Sequence, residues 1–139
     1  MAVVGRLVAA IADITRHLDE EVERGYDLTD WGDLMKLLHA LQLQAQALMD
    51  LVQRAASELG YAPSTYVDAA RRLVAEGLMS REQMEFFRRI VGFRNVVVHE
   101  YLSVDTSLVD RILRRREYRR VLELAEEIHS RLASRGIDP

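Results

Sequence analysis

The sequence predicts an all-α fold, an antiparallel helical bundle of four longer helices and one short helix that forms a single domain over residues 1–139. Apolar residues recur every three or four positions over long stretches, which is the spacing of one buried helix face. Only two prolines occur in 139 residues, so long segments can remain helical. No segment alternates apolar and polar residues between turn signals as a hairpin strand would.

The first two helices are predicted from their apolar spacing and their end signals. The first spans about residues 3–24, and Gly25 is a natural stop for it. Thr29 or Asp30 can cap a second, longer helix that reaches about Leu59. Three glutamines are expected only to supply polar positions on this second helix, namely Gln42, Gln44 and Gln46.

Capping signals also predict the third and fourth helices. Ser64 or Thr65 can begin a short helix that extends to about Glu76. The tetrapeptide at 80–83, Ser-Arg-Glu-Gln, is a capping box for the fourth helix. That helix is apolar on more than one face, which is typical of a central helix or of one shared with a partner surface. Its end stays open, because the three valines at 96–98 are β-branched and favour helices only weakly.

A single last helix is predicted from Asp105 or Thr106 to about Ser134. A helix this long would carry three arginines on one face at four-residue spacing: Arg111, Arg115 and Arg119. This face could simply be solvated. It could also form a phosphate track for RNA or a contact surface for an acidic partner.

Composition narrows the classes of function. The absence of cysteine excludes disulfides, zinc–thiolate sites and thiol nucleophiles, and it fits a cytoplasmic location. No apolar run approaches the ~20 residues that cross a bilayer, so no membrane partner is expected. Net charge is −3, yet residues 71–120 hold twelve arginines against seven acidic residues. Because Glu126 and His129 form the one glutamate–x–x–histidine pair, no di-iron site is predicted.

The basic segment surrounds the stretch Gly-Phe-Arg-Asn-Val-Val-Val-His-Glu-Tyr at 92–101. Histidine titrates near neutral pH and transfers protons, whereas arginine holds phosphoryl oxygens with its planar fork. Arg94 and His99 therefore suit work on a phosphodiester. Five residues apart on a straight helix, they would point about 140° apart. They can converge if the helix ends or distorts between them, or if a two-fold partner supplies the second copy. From chemistry alone, an ion-paired arginine and a buried histidine remain the alternative.

This stretch resembles the signature of the HEPN superfamily, an arginine and a histidine separated by four residues. More narrowly it resembles the HepT toxins, whose motif adds a tyrosine two residues after the histidine, here Tyr101. Asn95 also matches the commonest form of the motif. The resemblance extends to helix order, chain length, the break at Pro63 and an aspartate shortly after the tyrosine, Asp105. It implies a HEPN-like homodimer with metal-independent endoribonuclease activity and no cofactor.

The resemblance also implies roles for individual residues. Arg94 and His99 would be the catalytic pair in a cleft shared by two protomers. Asn95 would be a third catalytic residue, as a positioning or proton-orienting group. Tyr101 would be modified with AMP by a cognate antitoxin, an MntA-type nucleotidyltransferase. Four arginines are candidate contacts for the RNA substrate, namely Arg88, Arg111, Arg115 and Arg119. The alternative is a non-catalytic helical adaptor, the substrate-binding subunit of a minimal nucleotidyltransferase.

Overall fold

The computed structural model describes residues 2–137, and every regular element within this range is helical. The elements are α1 (Val3–Arg24), α2 (Trp31–Glu58), α3 (Tyr66–Ala75), α4 (Arg81–His99), a 3₁₀ turn (Tyr101–Ser103), α5 (Thr106–Arg114) and α6 (Arg119–Ala133). The predicted all-α class is confirmed. None of these helices combines the length and the apolar character that crossing a membrane requires.

The helices begin and end at the local signals in the sequence. Gly25 leaves α1 with φ 91°, a conformation that costs glycine little, and its N–H donates to a carbonyl of the last turn. The Asp30 carboxylate accepts the free backbone N–H of Asp33 at the start of α2. Ser80 and Gln83 form the reciprocal capping box of α4. These predicted boundaries are confirmed.

Helix α2 is the centre of the bundle, because it packs against α1, α3, α4 and α6. Its buried face joins residues of those helices in the larger core cluster, which includes Phe87 of α4 and Ile128 of α6. A second cluster contains Leu41 of α2 and Leu113 of α5, and Phe93 of α4 packs against it. The carboxyl-terminal half of α4 therefore lies over this second cluster, at one side of the bundle.

The predicted single last helix is wrong, because the chain breaks between α5 and α6. Arg116 adopts a left-handed conformation with φ 52°, and the Glu117 N–H donates to the Ile112 carbonyl across the break, at 2.9 Å. Such a bond pattern ends helices, although glycine is its usual residue. No glycine or proline marks the site in the sequence. The break allows both Leu113 and Tyr118 to be buried in the second cluster.

Contacts with Asp19 of α1 hold this break in place. Tyr118 Oη donates to the Asp19 carboxylate, Arg119 Nε donates to it at 3.0 Å, and Arg116 lies 3.3 Å from it. Burial would raise the pKa of Asp19, but the hydrogen bonds from Arg119 and Tyr118 and the nearby charges hold it below its usual value. Burial and the Asp19 hydrogen bond raise the pKa of Tyr118. Arg116 and Arg119 of the basic stretch thus stabilise the break between α5 and α6.

Candidate active site

One exposed stripe of α4 carries much of the motif. Positions 88, 92, 95 and 99 are separated by four, three and four residues, so they share one helix face. Arg88, Gly92, Asn95 and His99 are all exposed there, and we call them the α4 stripe. At about 1.5 Å per residue the stripe extends over roughly 16 Å, with His99 at its carboxyl-terminal end.

Arg94 lies off this stripe and is partly buried. Its Nη1 donates to Asn95 Oδ1 at 3.0 Å, so Asn95 links the guanidinium to the stripe. Arg94 Nε is inaccessible to solvent and has no hydrogen-bond partner, alone among the side-chain polar atoms of the buried and half-buried residues within 2–137. An unpaired buried N–H is costly, and such groups in native structures call for an explanation. The Arg94 guanidinium is thus held by Asn95, while its Nε–H has no hydrogen-bond acceptor.

Helix α4 runs without a break from Arg81 to His99. The expected divergence of Arg94 and His99 therefore holds, and no hydrogen bond joins their side chains in the part of the chain that the structure describes. Convergence through a distortion between them, one of the two routes expected from the sequence, is wrong. One chain therefore does not bring the side chains of Arg94 and His99 together along α4.

An exposed apolar patch lies beside His99. Val98, Tyr101 and Leu102 expose 42%, 59% and 88% of their surfaces. Exposed apolar side chains cluster at protein interfaces more than elsewhere on a surface. The Tyr101 hydroxyl makes no hydrogen bond to any described residue, and the residue begins the 3₁₀ turn after α4. The phenol is therefore open to modification by another protein.

The four candidate RNA-binding arginines differ in whether they already form an ion pair within the chain. Arg111 lies 3.4 Å from Glu117, and Arg119 bonds Asp19. Arg88 and Arg115 are exposed, and neither forms an ion pair within residues 2–137. The predicted common face of Arg111, Arg115 and Arg119 is wrong, because the break at Arg116 puts Arg119 on a different helix.

The residues that the structure describes include no group of three or more acidic, histidine or cysteine side chains that could hold a metal ion. Among the described residues, Glu126 and His129 therefore have no further side chain beside them that would complete a metal-binding group. No metal site is assigned here.

A cavity of about 680 Å³ lies beside the α4 stripe and was not predicted from the sequence. Its walls come from α2, α4, α5, the start of α6 and the segment after the 3₁₀ turn. Gly92 and Val96 of α4 are among its lining residues, whereas Arg94, Asn95 and His99 are not. The one sequence signal was that α4 is apolar on more than one face. The helix break that shapes the opposite wall had no signal.

The family described as "Ribonuclease HepT-like" matches residues 7–128. The chain belongs to this HepT-like ribonuclease family. The matched range runs from α1 into α6 and includes the α4 stripe, Arg94 and Tyr101. The resemblance inferred from the motif is therefore confirmed at the level of the family.

A curated relative from Archaeoglobus fulgidus, named "Putative RNase", is 27% identical to this HepT-like chain over 77 residues. The match covers 55% of the chain and 58% of the relative, so the chain spans little more than half the length of that protein. No solved structure matches the chain.

Proposed function

We propose that this HepT-like protein is a metal-independent endoribonuclease and the toxin of a toxin–antitoxin pair. The observation that carries the proposal is the family match over residues 7–128, with Arg94, Asn95 and His99 all present on α4 and with Asn95 and His99 exposed. RNA supplies its own nucleophile, the ribose 2′-hydroxyl beside the phosphate. His99 would move the proton from that hydroxyl or to the leaving oxygen, and Arg94 would stabilise the charged phosphorane.

The active form would be a homodimer. One His99 can act as base or as acid, whereas cleavage needs both roles, and a two-fold pair supplies two histidines and two arginines. The divergence of Arg94 and His99 along an unbroken α4 supports this, because one chain alone does not bring them together. The exposed patch of Val98, Tyr101 and Leu102 offers apolar surface for such contact.

Arg88 and Arg115 are the best candidates for contacts with RNA phosphates, because their charges are not used within residues 2–137. Arg88 also lies on the α4 stripe, on the same face as His99. Arg111 and Arg119 would first have to break their ion pairs with Glu117 and Asp19, so we expect them to contribute less to RNA binding. Each free arginine at a phosphate would steepen the salt dependence of RNA binding.

Metal chelation tests the reaction class. We expect purified protein to cleave RNA equally well with and without excess EDTA, and to leave 2′,3′-cyclic phosphate ends, because the 2′-oxygen attacks the adjacent phosphate. A magnesium-dependent nuclease in the same buffer is the control and should stop. Cleavage that is lost with EDTA and restored by Mg²⁺ would contradict the proposal. No cleavage under any condition, with binding to a nucleotidyltransferase retained, would favour the adaptor function.

We further propose that Tyr101 is the site of neutralisation by a cognate MntA-type nucleotidyltransferase. The phenol oxygen would attack the α-phosphorus of ATP, forming a tyrosyl phosphodiester and releasing pyrophosphate, and the phenol proton would go to a base of the transferase. The hydroxyl is free and the side chain is 59% exposed, which supports access. The added negative charge would lie two residues from His99 and repel RNA.

Incubation with such a transferase and ATP should add the mass of AMP units to the peptide that contains Tyr101, and RNA cleavage should fall in parallel. Tyr101→Phe protein should stay unmodified and active. Tyr66→Phe, a change in a partly buried tyrosine of α3, is the matched control and should still be modified. Modification that persists in Tyr101→Phe protein would place the site elsewhere.

A further inference from the structure

Gln44 of α2 is 2% exposed and lines the cavity beside the α4 stripe. Its Nε2 donates to Thr15 Oγ1 at 2.9 Å and to the Tyr118 carbonyl at 3.0 Å. The Thr15 hydroxyl donates its own hydrogen to the Ile11 carbonyl, so its oxygen can only accept from Gln44. These bonds fix the amide orientation and use both of its hydrogens. The sequence-based expectation of an ordinary polar position is wrong for Gln44.

The other end of this amide, Gln44 Oε1, has no hydrogen-bond partner among residues 2–137. Gln44 Oε1 is not among the unpartnered atoms without solvent contact, which in the buried and half-buried residues of that range are represented by Arg94 Nε alone. Gln44 lines the cavity, and Oε1 is the polar atom of its side chain that is left to accept a hydrogen bond there. Its orientation is set by three other residues, so it cannot turn to become a donor. A ligand that satisfies it must bring an N–H or O–H.

The rest of the cavity fits a flat, largely apolar group attached to an anion. Phe86, Phe93, Leu108 and Ile112 supply apolar walls. Arginines lie among the lining residues together with two carboxylates, and both carboxylates are already engaged. Asp105 caps α5, and Glu117 pairs with Arg111.

Two of the lining arginines, Arg89 and Arg120, form no ion pair within the described chain, and Arg120 lies over the Phe86 ring at 4.3 Å. Aromatic walls, a fixed acceptor and free guanidiniums are together the features that bind a nucleotide. Pockets of 300–1,000 Å³ are the usual size for such ligands, in round numbers.

The cavity adjoins the end of the α4 stripe. Val96, a lining residue, lies one helical turn before His99, about 4.5 Å along the axis. Ser103 follows His99 closely in the chain and lines the cavity as well. A side chain added at Gly92 would meet nothing within 4 Å, so the space between stripe and cavity is open. An RNA strand with its reacting phosphate at His99 has a neighbouring base within reach of this opening.

We propose that the cavity binds a base of the RNA strand next to the cleaved bond, and that Gln44 selects a base with an amine at C6 of a purine or C4 of a pyrimidine, that is, adenine or cytosine. The amine donates to Oε1, whereas uracil and guanine carry a carbonyl oxygen at the corresponding position and would face it with a second acceptor. Arg89 and Arg120 hold the adjoining phosphates. This inference rests on the proposed ribonuclease function, and it adds a source of sequence preference to it.

The test uses single-site oligoribonucleotides that carry each of the four bases at the positions flanking the cut, together with a strand that is abasic at those positions. Wild-type protein should cleave strands with adenine or cytosine in the cavity position about tenfold faster than strands with uracil or guanine, the factor that one ordinary hydrogen bond supplies. Leu108→Trp fills the cavity from α5, away from the α4 stripe, and should reduce the preference to within about twofold. Leu43→Trp, at a 42% exposed position outside the cavity, is the matched control and should keep it.

Leu43→Trp protein should cleave the abasic strand as wild-type protein does, and Leu108→Trp protein is judged by the ratio of its rates between bases. If Leu108→Trp protein does not fold, Ile112→Phe fills the same cavity with a smaller change. RNA cleavage by wild-type protein without any base preference at the flanking positions would overturn the cavity assignment and leave the proposed function intact.

If no RNA is cleaved, the proposed function fails, and binding of uncleavable 2′-deoxy-substituted strands then tests the cavity alone. An amine preference in that binding, lost in Leu108→Trp, supports the cavity assignment, and its absence overturns it. Free AMP as the ligand instead is recognised by two results: AMP stabilises wild-type protein but not Leu108→Trp protein, and the binding of RNA strands shows no base preference. That outcome would assign the cavity to a free nucleotide and overturn the proposal.

Discussion

Replacing His99 with alanine is expected to lower the rate of RNA cleavage by about 10²–10⁴-fold, the range that one general acid–base group supplies. His99 is exposed at the last position of α4, and its imidazole forms no hydrogen bond within residues 2–137. Its removal should therefore leave the fold unchanged. Single-turnover cleavage of a labelled RNA, with thermal unfolding measured on the same sample, separates loss of chemistry from loss of structure.

His39→Ala is the matched control, because His39 is also exposed on a helix but lies on α2, away from the motif. That variant should cleave at the wild-type rate. Equal activity of His99→Ala and wild-type protein would remove the imidazole from the mechanism. A mixed dimer of His99→Ala and Arg94→Met chains that recovers part of the activity would support a cleft built from two copies.

Local signals in the sequence were sufficient for most of the fold. The ends of α1 to α4 depend on local features, such as Gly25 after α1 and the side chains of Asp30 and Ser80 that cap their own helices, so neighbouring residues decide them. The break at Arg116 depends instead on Asp19 and Glu23 of α1, nearly a hundred positions earlier in the chain. An arginine in a left-handed conformation carries no sequence signal, because the contacts that stabilise it are tertiary. The single last helix was wrong for this reason.

In the candidate site, too, some features were predictable from local sequence and others depend on tertiary packing. The motif provided the candidates Arg94, Asn95, His99 and Tyr101, and the directions of the first three followed from helix geometry because α4 stays regular. The role of Gln44 could not be predicted, since Thr15 and Tyr118, which fix its amide, lie on other elements. A linear pattern names residues on one helix. A cavity between five segments appears only when the packing is known.

Replacing Arg94 with methionine should have opposite effects on activity and stability. Cleavage should fall by about 10²–10³-fold, the usual loss when one donor to a transition-state oxyanion is removed. The free energy of unfolding should rise by about 1 kcal/mol, because methionine keeps the apolar stem and removes a buried N–H that has no partner. Active sites commonly hold polar groups at some cost to stability. Urea denaturation and cleavage rates of the same preparation measure both effects.

Arg88→Met is the matched control for that prediction. Arg88 is exposed on the same helix and forms no ion pair within the described residues, so its loss should change stability by less than about 0.5 kcal/mol. Its effect on cleavage should be confined to long strands and should fade at high salt. If Arg94→Met instead lowers stability by more than about 1 kcal/mol, the guanidinium is a structural anchor whose Nε finds its partner in the assembled protein. A rise in stability with loss of cleavage would mean that Arg94 serves the reaction and not the stability of the fold.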